Sequence, residues 1–137
     1  MPHRLSNTFL RLAVVCALLG MIWGNFMGMT QQYTTATAHT HLNLLGWVSM
    51  SLYGLYYRVM PHAAVGRLPQ AHLWTSVASL VVMVPAIALV KLEHAPTLAL
   101  AGPLLGLTAI TTLLGMVLFA IIVFKSTSSS ASEPVAS

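Results

Sequence analysis

The sequence predicts an all-α integral membrane protein, a four-helix bundle of antiparallel, up-and-down topology. Three observations predict it. Of 137 residues, 57% are hydrophobic and 6% are charged, against about 25% charged in a soluble domain, so most of the surface must face lipid. The apolar residues form continuous runs. Barrel strands alternate apolar and polar residues, which leaves helices as the segments whose backbone groups find partners away from water. The connections between runs are short, so successive helices turn back on one another.

The runs cover residues 8–29, 41–60, 73–90 and 98–124, each about the 20 residues that cross a hydrocarbon core. On the first, Gly20, Gly24 and Gly28 recur every four residues. They form a stripe where another backbone or a flat ligand can approach closely. Cys16 is the only cysteine and lies in the same run, so it forms no intrachain disulfide and reads as a small buried hydrophobe. Pro85 in the third run and Pro103 in the fourth each remove a backbone donor, a loss that membrane helices tolerate. Residues 1–125 form one transmembrane domain in this reading, and residues 126–137, small and polar, form a disordered tail.

The net charge of +4 comes from single, scattered basic residues. No cluster tracks a phosphate backbone, so nucleic acid is excluded as a partner and the bilayer takes its place. Arg4, Arg11, Arg58, Arg67 and Lys125 fall on one side of a four-span arrangement and Lys91 on the other. The positive-inside rule then puts both termini in the cytoplasm, in a multi-pass protein of the inner (cytoplasmic) membrane. A cleaved leader ending at Ala36-Thr37-Ala38 would expose His39 as an amino-terminal residue, but the apolar stretch is longer than a usual signal core. The first run is expected to remain as a span.

Six histidines stand among very few other ionisable groups. His39 and His41 open the second run at its outer edge, and His94 follows the third run at the same edge. His62 and His72 bracket the cytoplasmic loop, His72 heading a face with Ser76 and Ser79, and His3 lies in the amino-terminal arm. Neutral imidazole is the commonest protein metal ligand and an axial ligand of haem iron. His41 and His94, from neighbouring helices at matched depth, could hold one iron from both sides. His39 and His41 are two apart, so on a helix they point about 200° from each other. One faces the bundle and the other a neighbouring helix, a second protomer or water. An extended start to the segment would instead let both chelate one ion.

The segment His39-Thr40-His41-Leu42-Asn43-Leu44-Leu45-Gly46-Trp47, continuing to Tyr53-Gly54-Leu55-Tyr56-Tyr57-Arg58, resembles the second transmembrane helix of the catalytic subunit of haem–copper oxidases and nitric oxide reductases. The resemblance covers roughly residues 12–60. It implies haem b binding, with His41 in the register of the axial ligand of low-spin haem and His39 in the alternative register. The late helices that carry the binuclear centre have no counterpart here, so the resemblance does not imply oxygen or nitric oxide reduction, and an enzymatic activity cannot be argued. The second axial ligand would be His94 or a histidine of another copy of the chain, with His72 as a further possible ligand. Lys91, able to snorkel to the outer surface, would pair with a haem propionate. Trp47, Tyr53, Tyr56 and Tyr57 would flank the site or anchor the interface.

The function expected is therefore a haem-b membrane protein acting in electron transfer or in haem or gas sensing, with an electron-transfer partner. A homo-oligomer is expected because four helices leave little interior in which to bury haem. One alternative is a copper or other metal site built from His39, His41 and His94 with Met27 and Met29 nearby, since thioether and imidazole suit copper. The other is a non-catalytic accessory or assembly subunit. Glu93 beside His94 would either orient that histidine or remain a solvated loop residue.

Overall fold

Helical hydrogen bonding organises nearly all of the chain. The computed structural model describes the backbone of residues 3–93 and 95–130 and the side chains of these except 95–98, 129 and 130. The elements are α1 (His3–Thr30), α2 (Ala36–His41), a π-helical segment (Leu42–Ser49), α3 (Met50–Val59), a 3-10 turn (Pro61–Ala64), α4 (Arg67–Lys91) and α5 (Ala95–Ser130). No strand occurs among the described residues. Three helices, α1, α4 and α5, are long and apolar enough to cross a membrane by length and composition. The second apolar run is helical as well, but it changes pitch twice, from α2 through the π segment into α3.

The helices extend beyond the predicted apolar runs at both ends. α5 reaches Ser130, so the first five residues of the predicted tail are helical. The physical reason lies in the side chains. Ser126 donates to Ile122 O (2.8 Å), Thr127 to Val123 O (2.8 Å) and Ser128 to Phe124 O (2.8 Å), so these hydroxyls bond back into the helix. The rest of that tail, 131–137, lies outside the described residues. Pro85 and Pro103 both sit within continuous helix.

Small residues set the closest approaches. On the second run, Gly46 lies against Cys16 and Gly54 against Leu10, where added Cβ atoms would come within 2.8 Å of Cys16 Sγ and 2.7 Å of Leu10 Cγ. Ser6 reinforces the second contact by donating to Gly54 O (2.9 Å). α4 pairs along its length with α5, where Gly115 receives Ser76 and Ser79 donates to Thr108 O (3.0 Å). The backbone of α4 also approaches α2 and the π segment but not α3. Rings fill the space between α3 and α4. Phe9 from α1, Tyr53 and Tyr57 from α3, His72 from α4 and Phe119 from α5 meet with centroid separations of 4.5 to 6.4 Å.

Candidate functional site

The histidines predicted to act together take different places. His39 points toward α1. Its ring packs over Gly24, where a Cβ would meet Cε1 at 3.1 Å, and lies edge-on to Trp23 at 6.3 Å. Asn43, one turn later, fills the space over Gly20. The Asn43 amide nitrogen donates to His39 O (3.0 Å) and lies within 3.1 Å of His39 Nε2. Two of the three glycines in the stripe therefore receive side chains of the second run, and Gly28 has open space. Trp23 donates to Thr35 Oγ1 (3.1 Å), tying α1 to the start of α2. Gly20, Gly24, His39, Asn43 and Trp47 line an open hollow of about 370 Å³ on this side.

His41 lies on a different side of α2 and is partly exposed, with Thr37, Thr40, Leu44 and Val48 exposed around it. Its Nδ1 lies 2.8 Å from Thr37 O. A carbonyl can only accept, so Nδ1 carries the proton and the lone pair belongs to Nε2. This is the arrangement in which metal-binding histidines are usually oriented, with one ring nitrogen tied to the backbone and the other free for the metal. The π segment begins at the next residue, Leu42. Single π turns occur often at functional positions. The Asn43 side chain supplies a cause, since it competes for the carbonyl to which the α ladder would direct a backbone donor.

His94 lies outside the described residues. Lys91 ends α4 and is exposed. Met27 is buried with Sδ 3.8 Å from Thr35 Oγ1, whereas Met29 is exposed. Among the described residues no group of three or more His, Cys, Asp or Glu side chains comes together. Glu93 takes a left-handed backbone conformation, φ 51°, in the turn after α4.

His72 is fully buried. Its ring stacks on Phe119 (5.2 Å) and is bounded by Phe9 and Tyr53. Tyr57 OH lies 2.9 Å from Nδ1, and Nε2 has no hydrogen-bond partner among the described residues. Phe9 and Phe119 pack against the imidazole. A separate groove of about 660 Å³ runs between α1, the π segment and α4, lined by Leu12, Cys16, Trp23, Met50, Val81 and Pro85 among others, and contains no histidine.

Sequence reading found the histidines and missed their partners. Thr37 stands four residues before His41, and His39 four before Asn43. That is the spacing at which helical neighbours meet, so both pairs carried a readable signal. The ring cage around His72 had none, because its members are far apart in sequence. The chain matches no family model, no curated protein and no solved structure.

Proposed function

We propose that the chain is a haem-b-binding protein of the inner membrane, with His41 as an axial ligand and a role in electron transfer or in haem or gas sensing. The observation that carries this reading is the hydrogen bond from His41 Nδ1 to Thr37 O at 2.8 Å. It leaves Nε2 as an oriented lone-pair donor at the surface of α2. Thr37 and Leu44, about one turn to either side of it in sequence, are exposed. The sequence resemblance to the second helix of the haem–copper oxidase core implies an axial ligand at the same residue, with His39 in the alternative register.

In this reading the second run is also a span, and the four spans form an antiparallel bundle with both termini cytoplasmic. The ring cluster favours that arrangement. It joins the beginning of α1, the end of the second run, the beginning of α4 and the later part of α5. Because the His41 face is exposed in one chain, the second axial ligand comes from His94 or from another copy, and Lys91 meets a propionate. A homo-oligomer supplies the missing cover.

Absorption spectroscopy of protein purified from haem-replete membranes tests this. The expected result is a Soret band that shifts on reduction. Stoichiometric copper without any such band would replace the haem reading with a copper site at His39, His41 and His94.

A further inference from the structure

Between the second run, α4 and α5 lies a small, partly open chamber of about 20 Å³, lined by Leu45, Ser49, Met50, Tyr53, Ser76, Ser79 and Thr112. Five of these seven side chains carry hydroxyls. The chamber is central to a strongly apolar set of helices, with Ser76 and Ser79 near the middle of α4 (Arg67–Lys91). A cavity needs roughly 10–15 Å³ to hold one water and two to four polar partners to retain it, and an apolar cavity of similar size stays dry. This chamber meets both conditions.

Three of the five hydroxyls have carbonyl acceptors. Ser49 donates to Leu44 O (2.8 Å), Ser79 to Thr108 O (3.0 Å) and Thr112 to Thr108 O (2.7 Å), and the Ser79 and Thr112 oxygens also touch. A hydroxyl has one proton and two lone pairs. The oxygens of Ser49, Ser79 and Thr112 therefore keep lone pairs that an occupant can meet by donating. The chamber takes a donor of water size.

A second observation marks the same region as short of polar partners. His72 lies one turn before Ser76 on the same face of α4, fully buried, with Nε2 unpaired. Tyr53 joins the two, lining the chamber and meeting the His72 ring edge-on at 4.5 Å. Buried polar atoms without a protein partner are commonly met by ordered water.

We propose that the chamber is a hydration site within the membrane-spanning region, holding one water that donates one proton to Ser49 Oγ and the other to the Ser79–Thr112 hydroxyl pair, and so links the second run, α4 and α5. The site is independent of haem and of His41.

Radiolytic hydroxyl labelling of the full chain in detergent tests it, because radicals formed from a bound water modify the side chains beside it. Tyr53 and Tyr57 are both buried, and only Tyr53 lines the chamber. The expected result is labelling of Tyr53 several-fold faster than of Tyr57, falling to the Tyr57 rate in the Ser79→Ala, Thr112→Val double variant, while exposed Tyr33 is unchanged. Equal rates at Tyr53 and Tyr57 in the unaltered chain would overturn the proposal without any variant. So would fast Tyr53 labelling that persists in the folded double variant.

Discussion

Thr37 and Tyr57 play the same part for two histidines: each takes one ring nitrogen and leaves the other. His41 keeps its free nitrogen at the surface, and His72 keeps its own inside a ring cage. The difference decides which can meet a ligand from outside. For His72 it also makes a stability prediction. Tyr57→Phe removes the only hydrogen-bond partner of a buried imidazole among the described residues, and an unsatisfied buried polar group costs about 1–3 kcal/mol. The single variant should unfold earlier by that amount, read by thermal denaturation in detergent. Adding His72→Leu should recover most of the loss, since replacing both members of a buried polar pair is nearly neutral. Additive losses in the double variant would mean that the Tyr57–His72 contact is not the source. The identities of the polar residues were legible at this scale, and their pairing was legible only where partners stand four apart on one helix. Tyr57 and His72 lie 15 residues apart on different helices, and only tertiary packing brings them together.

Hydrophobic length made the helices readable, because a span must hold its backbone bonds across the whole apolar thickness. The expected runs at 8–29, 73–90 and 98–124 all lie within helices. What length cannot show is pitch. The π segment holds Asn43, which competes for a backbone carbonyl, and Gly46, which meets Cys16, and neither feature changes the hydropathy. Hydropathy also ended the fourth run early, because it counts serine and threonine as polar although their hydroxyls bond back to the helix. Glycine roles differ in the same way. At Gly54 an added Cβ would lie 2.7 Å from Leu10 Cγ and 3.2 Å from the Leu10 backbone nitrogen, whereas at Gly28 it meets nothing within 4 Å. Gly54→Ala should therefore destabilise by about 1–3 kcal/mol through overpacking, separating α1 from α3 and straining the bond from Ser6. Gly28→Ala should be neutral or stabilising by up to about 1 kcal/mol, because alanine is the better helix former. Comparison of the two melting temperatures checks the pair, and equal shifts would contradict the packing described.

Over the whole molecule, three clusters of polar groups stand out among the described residues. His39 and Asn43 close over the glycine stripe, hydroxyls line the chamber between the second run, α4 and α5, and His72 and Tyr57 sit among rings from α1, α3 and α5. His41 stands apart from all three, turned outward, and a haem held there needs a second surface to cover it. Composition made the lipid environment plain. It could not make the site plain, because the arrangement depends on which of two nearby histidines turns inward. The structure separates them: His39 is occupied by Trp23, Gly24 and Asn43, and His41 has a free nitrogen. Haem titration of the apoprotein in detergent, followed at the Soret band for the unaltered chain, His39→Ala and His41→Ala, tests the assignment of His41 as axial ligand most directly. The account predicts low-spin haem binding by the unaltered chain and by His39→Ala, and its loss in His41→Ala. An unchanged low-spin spectrum in folded His41→Ala would contradict it.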